Sequence, residues 1–88
     1  MSFEINERVN IIRAYDLVYP NTAKEYLASK NIMPYFYDNM SNDSNLSGCN
    51  GVVLYKENIF GDNFYLVKIG EKGNCVFGTE SIFRGCKV

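Results

Sequence analysis

Three cysteines and no histidine set the chemical repertoire of this 88-residue chain. Cys49, Cys75 and Cys86 form no C-x-x-C pair, so a four-ligand zinc site would have to be completed by carboxylates. No metal and no other cofactor is expected. Without histidine, Ser-His and Cys-His nucleophile pairs are excluded, and no ordinary general base is at hand near neutral pH. Cys49 follows Gly48 in a polar stretch with no neighbouring group to activate its thiol. Cys75 reads as a small core residue of a reduced protein. The carboxylate pairs Glu4/Glu7 and Glu57/Asp62 have ordinary surface spacings, and Asp38 and Asp43 belong to no EF-hand pattern. Gly70-x-x-Gly73 precedes no helix, so it reads as a hairpin rather than a phosphate cradle. The expectation is a protein without catalytic residues, not an enzyme.

Binding chemistry is better represented. Tyr15, Tyr19, Tyr26, Tyr35, Phe36, Tyr37 and Tyr55 supply large rings, and tyrosine suits protein interfaces because one end is apolar and the other hydrogen-bonds. Any single ring can simply fill space in the core. The chain's seven tyrosine hydroxyls are harder to bury together. Tyr19, Tyr35, Phe36 and Tyr37 are therefore the candidate protein contacts, next to an adaptable Asn/Ser loop carrying Asn42 and Asn45. A nucleic-acid surface would instead use Arg8, Arg13, Lys56, Lys68, Arg84 and Lys87 on phosphates, with Tyr15 or Tyr55 stacking on bases. Against it, Glu7, Asp16, Glu57, Glu71 and Glu80 interleave with those cations, and the net charge is −1.

These residues must be placed by few elements. With 47% apolar and 15% aromatic residues, the chain fits one domain with a thin core. Asn6-Glu7 tolerates a left-handed turn that feeds a strand over Arg8–Tyr15, with Val9, Ile11 and Tyr15 on one face and Ile12 and Ala14 on the other. Thr22-Ala23-Lys24-Glu25 reads as a capping box opening about two helical turns that end near Asn31, with Ala23, Tyr26, Leu27 and Lys30 on one stripe. Ile32 to Met40 is aromatic around Pro34, and Ser41 to Asn50 is a polar loop, the most mobile stretch expected. Strands follow at Val52–Lys56, Phe64–Ile69 and Asn74–Phe77, separated by a Gly61-Asp62 turn and the Gly70–Gly73 hairpin. Thr79-Glu80-Ser81 reads as a single helical turn before a last short strand at Ile82-Phe83-Arg84. No apolar run is long enough for a membrane helix, and no secretory signal opens the chain.

This order resembles the SH3-like small β-barrel of KOW type. Phe3-Glu4-Ile5-Asn6-Glu7-Arg8-Val9 is similar to the family's apolar-x-apolar-Gly-Asp-x-Val lead-in, with Asn6-Glu7 in place of Gly-Asp. Gly51-Val52-Val53 is similar to the Gly-x-Val that opens the next strand, and Thr79-Glu80-Ser81-Ile82-Phe83 to the closing turn and apolar pair. The resemblance implies a mainly β (α+β) fold. It would be one SH3-like domain over 1–88, a five-stranded barrel with a helical and aromatic insertion over 16–50 lying as a flap across one mouth. A closed sheet also avoids bare strand edges. The expected function is a small binding module acting on a protein partner, with nucleic acid or the transcription or translation machinery as the alternative and a homo-oligomeric subunit as a third. No membrane partner is expected. The Asn, Ile, Lys and Tyr content is compatible with an AT-rich phage or mobile element, whose short accessory proteins modulate host factors in the cytoplasm.

Overall fold

The computed structural model describes residues 2–32, 39–70 and 73–86. Its architecture is mainly β, in the α+β class expected: five antiparallel strands in a single sheet, one helix and short 3-10 turns. The strands are β1 (Arg8–Ile11), β2 (Asn50–Ile59), β3 (Asp62–Ile69), β4 (Asn74–Thr79) and β5 (Phe83–Gly85), ordered β4-β3-β2-β1-β5. Helix α1 spans Pro20–Ser29.

Alternation along the strands makes two cores. Val9, Ile11, Val53, Tyr65, Val67, Val76 and Phe83 point to one face and pack with Phe3, Ala14, Leu17 and Ile82. Leu66, Cys75 and Phe77 point to the other face and pack under Ala23 and Leu27 of α1. The inserted helix thus lies on the face of the sheet formed by β3 and β4, rather than across a barrel mouth as expected. The reason is chemical: Phe64, Leu66 and Phe77 would otherwise leave that face apolar and wet, and each such side chain gains about 1.5–3 kcal/mol on burial. An irregularity between Val53 and Tyr55 rephases β2. Before it Val52 faces away from the first core; after it Tyr55, opposite Leu66, joins the second core.

Several local expectations are corrected. β1 ends at Ile11, because the Ile12 and Arg13 amides both turn to the Ile82 carbonyl, at 2.8 and 3.3 Å. Beyond that point the alternation no longer holds: Ala14 is buried and Tyr15 exposed, the reverse of the assigned faces. The capping box does not form. Tyr19 is the N-cap and Pro20 opens the helix, so Thr22 already lies inside it. The helix end is as expected: α1 stops at Ser29, and Asn31 follows at φ 54°. The Ser41–Asn50 loop is tied down: the Gly48 amide reaches the Ile11 carbonyl at 2.7 Å, and Ser47 Oγ accepts from the Ala14 amide at 3.0 Å. The β2–β3 ladder runs on to Ile59↔Asp62, so its turn is Phe60-Gly61 and not Gly61-Asp62. Asn6, at φ 74°, makes the left-handed turn expected of it.

Candidate functional site

The two outer strands, β4 and β5, are linked by residues 12–18. At one end the Ile12 and Arg13 amides bond to Ile82 just before β5; at the other the Val18 amide donates to the Phe77 carbonyl of β4 at 2.9 Å. Between these anchors, a 3-10 turn at Ala14–Asp16 buries Ala14, and Leu17 is buried after it. Leu17 and Ile82 crowd over Gly78, where a Cβ would collide with the Ile82 side chain and approach Leu17 Cδ2 at 3.3 Å. Val18 packs against the second core, and Ile12, Arg13, Tyr15 and Asp16 turn outward. Ile12, Tyr15 and Tyr19 are 39%, 70% and 73% exposed, three large apolar groups within eight residues. A held backbone presenting tyrosines offers contact area at low entropic cost.

Of the residues singled out from sequence, Tyr19 belongs to this surface as the N-cap of α1. Tyr35, Phe36 and Tyr37 lie outside the described residues. Asn42 is half-buried, and Asn45 is exposed in a 3-10 turn at Ser44–Leu46 capped by the Asp43 carboxylate. Tyr26 stacks on Phe77 with centroids 5.9 Å apart, and Tyr55 packs in the second core with its hydroxyl on Glu57, so both serve as core rings. Ile12 was not legible as a contact, since the strand reading set it on one face with Ala14, which is buried.

The cations divide. Arg8 and Lys68 flank Val52 across β1, β2 and β3, because Val52 pairs with both. With Leu54 as further floor they line a shallow concavity of about 500 Å³. Arg84 is exposed on β5 opposite Asn10, on the same side of the sheet as Arg8. Among the described residues none of these three makes an ion pair. Lys56 is withdrawn to the other side, bonded to the Phe3 carbonyl at 3.3 Å and the Glu4 carboxylate at 3.1 Å. Arg13 is exposed at the start of the 12–18 segment, and Lys87 lies outside the described residues.

Two buried groups are structural. The Tyr65 hydroxyl accepts from the Phe3 amide at 3.1 Å and donates to Glu80 at 3.0 Å, tying the amino-terminal lead-in to β3 and to the closing turn. Burial raises its phenol above the ordinary value, and Glu80 adds to the shift. Burial works against ionised Glu80, but hydrogen bonds from Asn63 and Tyr65 prevail and hold its carboxyl below the ordinary value. Cys75 is buried, and desolvation pushes its thiol up to about 11. Among the described residues no three Cys, Asp or Glu side chains gather as a metal site would need, and no helix is long and apolar enough to cross a membrane.

Neither the protein-family models, nor the curated proteins, nor the solved structures contain a significant match to this chain.

Proposed function

We propose that the chain is a small non-catalytic binding module that engages a protein partner through residues 12–19. The observation that carries this reading is the exposure of Ile12, Tyr15 and Tyr19 on a backbone fixed at both ends by Ile82 and Phe77. Tyrosine anchors on rigid supports dominate binding energy in protein interfaces. The strand order, with a 3-10 turn at Glu80–Ile82 before the last strand, supports an SH3-like scaffold for this surface. Free thiols at Cys49, Cys75 and Cys86 support a reducing compartment such as a cytoplasm, where a phage or mobile-element protein would meet host targets. The test is affinity capture at about 0.5 M salt, where screening reaches only a few Å and apolar contacts persist. The native chain should retain a partner that Tyr15→Ser/Tyr19→Ser loses. Equal retention by both, or loss of the partner on raising the salt, refutes the reading.

A second reading is favoured by one observation, the placement of Arg8, Lys68 and Arg84 on one side of the sheet. That side would track a nucleic-acid backbone, and binding would fall steeply with salt. Titration of DNA and RNA at low and moderate salt decides it. A log-log slope near zero removes it.

A further inference from the structure

The β2–β3 ribbon ends in an unusual residue. Phe60, at φ 51°, and Gly61, at φ 90°, form a two-residue turn with both central φ angles positive, the type I′ geometry that asparagine, aspartate or glycine normally opens. A bulky side chain in the left-handed region is an outlier. The Phe60 ring is also fully exposed, so no packing within the chain offsets the conformation. Strain kept without an intramolecular return is the signature of a group held out for a contact. The tip's flank is polar and acidic, formed by Asp62, Asn63, Thr79, Glu80 and Ser81. That chemistry disfavours phosphate backbones and anionic lipid as targets.

A surface of the opposite kind lies at the far end of the same ribbon. The Arg8/Lys68 concavity has two cations at its rim and Val52 and Leu54, both half-buried, as its floor. Glu71 and Lys72, of opposite sign, lie outside the described residues. Eight residues separate Val52 from Phe60, roughly 26 Å of extended strand, so a copy cannot place its tip in its own concavity. We propose that the chain associates head to tail, the Phe60 tip of one copy entering the Arg8/Val52/Leu54/Lys68 concavity of the next, with Asp62 facing the cations. Such a contact is heterologous, and it closes as a ring or extends as a filament. It uses neither Tyr15 nor Tyr19, so it stands or fails independently of the proposed partner surface.

Sedimentation velocity over a micromolar-to-millimolar series tests this with three proteins: native, Phe60→Asn, and Arg8→Glu/Lys68→Glu. Asparagine suits the turn, so Phe60→Asn folds and removes only the plug. Native protein should gain mass with concentration, while each variant stays monomeric, at least tenfold weaker in association. Mixing the two variants should give a discrete one-to-one dimer, because one keeps the concavity and the other keeps the tip. Recovery of that dimer also shows that the charge-reversed variant is folded. Native protein that remains monomeric throughout overturns the proposal, as does Phe60→Asn associating like the native chain. Monomeric native protein that binds oligonucleotides, with the binding lost in Arg8→Glu/Lys68→Glu and kept in Phe60→Asn, assigns the concavity to nucleic acid instead.

Discussion

Replacing Phe60 with asparagine should make the isolated protein more stable, although phenylalanine is the larger hydrophobe. The ring is fully exposed, so its removal takes away no burial. What changes is the backbone: φ is 51° at Phe60, and a left-handed conformation costs an ordinary L-residue about 1–2 kcal/mol, most of which asparagine avoids by local hydrogen bonding. The turn's other supports remain, since the Gly61 amide bonds to Asn58 Oδ1 at 3.1 Å and Asn58 Nδ2 to Asn63 at 3.1 Å. The expected gain is about 1 kcal/mol, which for a chain this short is roughly 4–8 °C in Tm. Urea denaturation at low micromolar concentration, where self-association contributes least, should show a higher midpoint with an unchanged slope. A loss of stability would refute the reasoning, because it would mean that the Phe60 ring packs against something. A gain would show that the native chain gives up stability to present this ring, a pattern typical of functional positions.

Other consequences are sharp. Tyr65→Phe leaves the Phe3 amide without its acceptor and should cost about 1–2 kcal/mol in chemical denaturation. The Tyr65 phenol titrates higher folded than unfolded, so its contribution is intact below about pH 10 and falls as pH rises through the raised folded value; the variant should show a flatter alkaline limb in a stability–pH curve. Gly51→Ala would place a Cβ 2.5 Å from Val67 Cγ1 and 2.7 Å from the Lys68 carbonyl oxygen. Because backbone has to move, it should cost about 1–3 kcal/mol in the same assay. Cys75, buried and with its thiol near 11, should react with a thiol reagent at mildly alkaline pH far more slowly than half-buried Cys49 and Cys86, a difference that denaturant abolishes.

The strands were legible where alternation and turn chemistry agreed. Asn6, Gly70 and Gly73 marked real left-handed positions, and Cys75 was readable as core. The path from Ile12 to Tyr19 was not, because its course is set by distant carbonyls, Ile82 and Phe77, rather than by neighbours in sequence. That misplacement reversed the faces of Ala14 and Tyr15 and hid the exposed patch. The helix start failed for a simpler reason: the capping-box pattern at Thr22-Ala23-Lys24-Glu25 lies inside a helix that Pro20 already opens, its fixed φ suiting the first helical position. Phe60-Gly61 was also a missed signal present in the sequence, a residue–glycine pair between two strand-like runs. The irregularity at Val53/Tyr55, which moves Tyr55 into the second core, has no local signature.

Amide hydrogen exchange at Ile12, Arg13 and Val18 tests most directly whether residues 12–19 form a rigid platform. If Ile82 and Phe77 hold this segment as described, those amides should exchange as slowly as the Val9 and Val67 amides of the core strands, while the Tyr15 and Tyr19 rings stay open to solvent. Exchange at the rate of an unstructured peptide would make the segment a loose loop and contradict the contact surface proposed on it.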